Sequence, residues 1–463
     1  MPILLIATTL LIGTGKPPIR VASDFVQTPY VQLGHREDGA ANSLAIVWHG
    51  PDDNRRYRVQ YQIAGQTHQV TAITVNRVAL PKVPAFRIHM ATLRNLEAGL
   101  KVTYSVSTDS STFAATTQAP KDNKQPFRFV VFGDCGSGTP QQAKIAYQTY
   151  LQQPDFVMLT GDIVYNTGRV SEYEKNYFPF YAAKAADPKI GAPLLGSILT
   201  IGAPGNHDIL NRNFNVNPDA LAFFLFWKQP LNGPLRMIGG ANTPTLTGSD
   251  DAKSAFLRAS GTSYPRGANY SFDYGNAHWT ILDANPYVDW TNPALRKWLS
   301  EDLAKAKGAT WRFVALHHPP FHSSKSHEGD KQIRPIADLF EKGNVDIVFG
   351  GHVHNYQRTF PIQVGSKLGA DKEELNKDDW SVDRSFDGTR NLKPKGVLYL
   401  VDGAGGAPLY NMELNEKPEL WKPFQAKYFS THCFSVVDIS GNLFRLKQVD
   451  LNGKTIDQFS IRK

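Results

Sequence analysis

Beyond residue 126 the sequence repeats one pattern: a short apolar run that opens into a loop of glycine with Asp, Asn or His. The runs are Phe127–Phe132, Phe156–Leu159, Leu199–Ile201, Trp279–Leu282, Phe313–Leu316, Asp346–Phe349 and Val397–Val401. Apolar runs this short, bounded by turn residues, predict buried strands rather than helices. Helical segments lie between some of them. The clearest is Asn292–Lys307, with Asn292 as N-cap, Pro293 in the first turn, and Leu295, Trp298, Leu299 and Leu303 on one face. Strands alternating with helices predict an α/β layered domain whose functional groups collect in the loops at strand ends.

Residues 25–119 read differently. Leu44-Ala-Ile-Val-Trp48 is a compact apolar run, while Tyr57, Val59, Tyr61 and Ile63 alternate with polar residues, as do Val102, Tyr104 and Val106. Such short strands, punctuated by Pro, Asp, Asn and Gly, predict an all-β sandwich. The stretch Leu96–Tyr104 resembles the turn into a late strand of fibronectin type III domains. Nothing in this part suggests chemistry, so it reads as a packing or spacer module. The polar, proline-bounded stretch Gln118–Pro126 is the linker, and residues 120–463 form the second domain. Within it, Ile209–Gly261 is long, aromatic and glycine-rich and reads as an insertion or lid. Asp371–Asp387 reads as a solvated loop.

At the N-terminus, Ile3–Ile12 has the length of a secretory h-region, with Val21-Ala22-Ser23 as a cleavage stretch, although no basic residue precedes it. Residues 1–24 are therefore expected to be a leader, and the protein to be secreted or periplasmic. No run approaches the roughly 20 apolar residues of a membrane span. The 463 residues carry 50 Lys plus Arg against 42 acidic residues, a formal charge of +8. These charges are scattered without a basic block, which favours small anionic substrates and not nucleic acid. With only two cysteines, Cys135 and Cys433, a disulfide scaffold and a cysteine-rich zinc module are both excluded. Each cysteine reads as a small buried thiol.

Five strand-end loops supply the same kinds of donor: Gly133-Asp134-Cys135-Gly136, Gly161-Asp162-Ile-Val-Tyr165, Gly205-Asn206-His207-Asp208, Val314-Ala-Leu-His317 and Gly351-His352-Val353-His354. An Asp after a strand is usually a turn residue, and a lone His there is usually a satisfied polar group. Five such loops in series are hard to obtain from turn chemistry alone. Their glycines let backbone and side chains crowd around one point. Together they offer carboxylates, a phenol, an amide oxygen and imidazoles, a hard and borderline donor set suited to zinc, manganese or iron. The set is too large for one tetrahedral ion and suits two sharing a carboxylate. Ions roughly 3.5–4 Å apart can clamp a phosphoryl group and generate hydroxide.

On these motifs the sequence resembles the purple acid phosphatases, within the calcineurin-like metallophosphoesterases. Gly351-His-Val-His-Asn-Tyr-Gln-Arg358 echoes the last motif of that family, with weaker matches at Tyr270–His278 and Asp402–Ala407. The resemblance implies a layered β-sandwich flanked by helices, preceded by a fibronectin-like domain. It implies that Asp134, Tyr165 and His354 hold Fe(III), that Asp162 bridges, and that Asn206, His317 and His352 hold Zn, Mn or Fe(II). His318 is the rival of His317. His207 and His327 are the implied catalytic residues, as phosphate contacts or proton donors, with His322 and Glu328 as neighbours able to substitute for His327. Arg358 is expected to brace its loop. The implied reaction is hydrolysis of phosphate monoesters by metal-activated hydroxide. A phosphodiesterase or nucleotidase on the same site is the alternative, and a non-catalytic phosphate-binding protein a more distant one.

Overall fold

The computed structural model describes residues 24–36, 42–235, 240–364 and 380–463. The expected leader, up to residue 23, lies outside the described residues, as does 371–379 of the charged stretch. Asp24 is tied to the first domain: its carboxylate accepts from the hydroxyls of Thr108, Ser110 and Ser111 at 2.5–2.6 Å.

The N-terminal part is a sandwich of two four-stranded antiparallel sheets. One contains Gln27–Gln32, Leu44–Pro51, Phe86–Leu93 and Ile73–Val78; the other contains Gln66–Val70, Arg58–Ile63, Lys101–Ser107 and Thr112–Gln118. Alternation in Arg58–Ile63 buries Val59, Tyr61 and Ile63 and leaves the polar residues outside.

The second part stacks a six-stranded sheet on a seven-stranded one. Phe127–Phe132 and Phe156–Leu159 form as expected, and the other strands begin or end within two residues of expectation. Phe129, Phe156, Trp279, Phe313 and Phe349 fill the space between the sheets, with the rings of Phe129, Phe313 and Trp279 centred 4.9–5.8 Å apart. Buried aromatics of this size dominate core energetics. Register then places the site. Phe132, Leu159 and Gly202 are level at one sheet's carboxyl edge, and Ala315 and Phe349 are level in the other. The motif loops therefore leave from neighbouring points.

The long helix runs Pro293–Lys305, with the Asn292 side chain accepting from Ala294 N at 2.9 Å, and a 3₁₀ turn continues it over Ala306–Gly308. Trp298 lies at the edge of the buried face, partly buried against the same core as Leu295, Leu299 and Leu303, and it donates to Asn232 O, while Asp302 is buried beside it. The reason is a polar cluster: Asp302 accepts from Ser271 Oγ at 2.6 Å, Thr280 Oγ1 at 2.8 Å and His278 Nε2 at 3.1 Å. His278 Nδ1 faces Asp273 at 2.7 Å. Burial lowers the affinity of His278 for a proton, but the two carboxylates outweigh it and raise the pKa from 6.5 to about 9. Such a group stabilises the fold fully below its unfolded pKa and loses that contribution as pH rises through the folded one. The shift corresponds to at most about 3 kcal/mol, less the share of Asp273, which is largely exposed and screened. We predict that stability declines between about pH 6.5 and 9, and that His278→Gln flattens this decline; thermal unfolding of both proteins across that range checks it.

The segment from 209 to 261 is only in part a lid. Its buried helix Phe223–Phe226 wedges against the sandwich, where His49 and Phe226 rings lie 4.6 Å apart and Tyr30 donates to Phe226 O at 3.2 Å. Among the described residues of the segment, those at Leu210–Asn213, Thr245 and Thr247 border the site. Among the described residues no helix is long and apolar enough to cross a membrane. Cys135 and Cys433 are buried and unpaired with each other.

Candidate metal centre

Each motif loop delivers its donors through a specific backbone device. Asp134, Asp162 and His352 all have left-handed backbone, with φ of 56°, 49° and 67°. Non-glycine residues in that region cost about 1 kcal/mol or more each and concentrate at functional sites. Asn206 and His207 open a short helical turn, in which Asp208 Oδ2 accepts from Gly205 N at 2.9 Å and Ile163 N at 3.2 Å. Burial and the facing Asp162 raise the Asp208 pKa to about 7. Glycine is obligatory where the loops touch: a Cβ on Gly205 would sit 2.1 Å from Asp162 N.

The seven residues expected to bind metal converge in two adjoining groups. In the first, Asp134 Oδ1 accepts from the Tyr165 hydroxyl at 2.9 Å and lies 3.3 Å from His354 Nε2, which is 3.1 Å from the Tyr165 oxygen. In the second, Asn206 Oδ1 is 2.9 Å from both His317 Nε2 and His352 Nδ1. Asp162 joins them. Its Oδ2 is 3.3 Å from His317 Nε2, and donor atoms of Asp134, Asp162 and His317 all lie within 4.8 Å of one another. His318 does not join this arrangement, although its ring packs 4.2 Å from that of His352.

Proton bookkeeping tests whether these residues fit cations. Each imidazole has its outward nitrogen committed: His317 Nδ1 to Thr160 O at 2.8 Å, His354 Nδ1 to Pro408 O at 2.7 Å, and His352 Nε2 to Asp330 Oδ2 at 2.9 Å. A neutral imidazole donates once, so the inward nitrogens carry lone pairs. At Asn206 those lone pairs face an amide oxygen, and at His317 also a carboxylate. Acceptors buried against acceptors need a positive charge between them. The outward bonds are also the arrangement that orients metal-binding histidines. The donor set fits two cations. Without them a proton substitutes: burial disfavours it on His317, yet Asp162 and Asp134 raise that pKa to about 9. For Asp162, burial pushes the pKa up, but the surrounding histidines, His317 first, hold it well below the usual carboxylate range. Burial and Asp134 push the Tyr165 phenol well above its ordinary pKa, so ligation there would release a proton.

The residues around this centre divide. His207 donates its backbone N–H to Asp162 Oδ1 at 2.8 Å, and its Nδ1 contacts Asn166 O at 2.7 Å, leaving Nε2 3.9 Å from Asp162 Oδ2. His327 packs 4.1 Å from the His352 ring, with Nδ1 3.0 Å from Asp330 Oδ2 and Nε2 2.7 Å from the Tyr410 hydroxyl. His322 is buried, and its Nδ1 accepts from Ser324 N at 3.2 Å. Glu328 pairs with Lys422. Arg358 makes bidentate contacts of 2.7 and 3.1 Å with Asp457, so it braces its loop. Sequence reasoning missed Asp330, which links His352 to His327, and Tyr410, which also donates to His352 O at 2.6 Å. The His327–Asp330 spacing was the available signal for the first; nothing local marked the second.

Two stacked sheets with these candidate donors on the loops at their carboxyl edges make the metallophosphoesterase fold. The calcineurin-like phosphoesterase family model matches residues 127–356, and this part of the chain belongs to that family; the relatives it resembles include purple acid phosphatases. A plant relative from Arabidopsis thaliana, named "Probable inactive purple acid phosphatase 27", is 24% identical over 82% of this chain and 58% of its own length. The chain thus spans little more than half of that relative. Mouse acid phosphatase type 7 is 22% identical over 80% of this chain and 76% of its own. A purple acid phosphatase structure from yellow lupin seeds shares the fold, with a TM-score of 0.63 and 17% identity over 94% of this chain and 74% of its own.

Proposed function

We propose that the chain is a binuclear-metal hydrolase of phosphate monoesters, its chemistry in residues 120–463 and residues 25–119 serving as a packing module. The observation that carries this reading is the inward turn of three imidazole lone pairs, fixed by Thr160, Pro408 and Asp330, toward carboxylate, phenol and amide oxygens. Asp134, Tyr165 and His354 would hold Fe(III); Asn206, His317 and His352 would hold Zn, Mn or Fe(II); Asp162 would be shared. When bound, such a pair supplies Lewis acidity toward phosphoryl oxygens and an acidified water.

The chain's own groups supply the rest. Asn206 is neutral, so it adds no repulsion toward a dianionic phosphate. His207 is fixed through its backbone and Nδ1, and its Nε2, 3.9 Å from Asp162 Oδ2, would hand a proton to the departing alkoxide when protonated. For His327 the same role requires the Tyr410 hydroxyl to give up its place at Nε2. Small phosphate esters are the partners of this site.

Hydrolysis of p-nitrophenyl phosphate beside bis(p-nitrophenyl) phosphate by metal-replete protein tests the reading. Faster monoester turnover is expected. Faster diester turnover would keep the metals and make the protein a phosphodiesterase. The Arabidopsis relative carries "inactive" in its name, which gives weight to a third outcome: two metals bound without turnover would mean a phosphate-binding protein.

A further inference from the structure

Asn206 and His207 share a cavity of about 540 Å³ with Asn166, and the remaining wall is Leu210–Asn213, Thr245 and Thr247. This wall is the part of the 209–261 segment that borders the site, and its backbone is clamped. Thr247 N and Oγ1 donate to Arg212 O at 3.0 and 3.2 Å, and Phe214 N donates to Thr247 O at 3.0 Å. The Arg212 guanidinium lies over the Tyr287 ring, 5.4 Å from its centroid, and the Tyr287 hydroxyl donates to Asp283. No carboxylate lines the cavity, and among the described residues none pairs with Arg212. Among the described residues Arg212 is thus a cation held over Tyr287 at the cavity wall with no carboxylate partner. Its fork matches a carboxylate or phosphate in bidentate fashion.

We propose that Arg212 is a specificity-determining residue that holds a second anionic group, a carboxylate or a phosphate, on the leaving group of the substrate. The proposal rests on the phosphate-ester reading above. It follows from the placement of His207: the residue positioned to protonate the leaving oxygen lines this cavity, so the leaving group extends into it. There it meets amides, threonine hydroxyls and one guanidinium. A leaving group bearing its own anion satisfies that charge, whereas a neutral one leaves it solvated.

Two substrate pairs isolate the effect. 2-Phosphoglycerate against glycerol 2-phosphate adds a carboxylate, and fructose 1,6-bisphosphate against fructose 6-phosphate adds a phosphate. In the metal-replete protein the kcat/KM ratio within a pair should favour the more anionic member and fall about ten-fold in Arg212→Ala, as expected for loss of a charge-assisted contact. The pair whose ratio falls identifies the anion. Asn213→Asp gives a second route: Oδ1 of Asn213 accepts from Asn215 N at 3.1 Å, which an aspartate retains while placing a negative charge on the same wall. It should lower the same ratio. Ratios unchanged within about two-fold in both variants would overturn the proposal and leave Arg212 as a brace for Tyr287. If wild-type protein turns over none of the four esters, the phosphatase reading fails separately. Calorimetric titration with 2-phosphoglycerate and fructose 1,6-bisphosphate then decides for Arg212: binding about ten-fold weaker in Arg212→Ala supports it, and equal binding overturns it.

Discussion

Asp162→Asn should give a folded protein that has lost at least about 10³-fold in turnover of phosphate esters, more than removal of a single transition-state hydrogen bond costs. The substitution is a clean one. Asparagine tolerates the left-handed backbone of this position, φ 49°, better than other residues do. Its side-chain oxygen can still accept from His207 N, which Asp162 does at 2.8 Å. What disappears is the negative charge, together with the second oxygen, the one 3.3 Å from His317 Nε2. That charge lies between both donor groups, so metal content should fall below two ions per chain. Elemental analysis beside kcat at saturating metal checks both halves. Turnover within about ten-fold of wild type would remove Asp162 from the shared position.

If Tyr165 holds Fe(III) as proposed, the iron-loaded protein should show a visible charge-transfer band, and Tyr165→Phe should abolish it, lower the iron content and cost roughly 10²-fold in turnover. Phenylalanine keeps the ring and its packing beside His207, centroids 4.5 Å apart, so the fold should hold. Only the oxygen is lost, the atom 2.9 Å from Asp134 Oδ1 and 3.1 Å from His354 Nε2. An unchanged absorption band in the variant would mean that the phenol of Tyr165 is not a ligand. Circular dichroism of both variants separates loss of donors from loss of structure.

Much of this was legible in the chain because the signals are local. Phe127–Phe132, apolar except for Arg128, and Phe156–Leu159 are short runs whose length suits buried strands better than helices. Asn292 followed by Pro293 marks a helix start through hydrogen-bonding capacity and fixed φ, both properties of single residues. The site was legible for a related reason: its donors follow strands in short loops, so their order along the chain survives in space. Tertiary partners were not. Spacing sets the apolar face of Leu295, Leu299 and Leu303, but His278, Ser271 and Thr280 offer Asp302 a buried polar site that no periodicity encodes.

The sequence by itself determined the layers, the loops and the kinds of donor, because hydrophobic period, capping and donor chemistry are written residue by residue. Only the tertiary structure decided which lone pair each donor turns inward. That depends on carbonyls and carboxylates far along the chain: Thr160 for His317, Pro408 for His354 and Asp330 for His352. It also decided that the segment from 209 to 261 packs Phe226 against the sandwich and offers Arg212 to the cavity. Long-range packing chose between core and pocket there, and composition cannot distinguish the two.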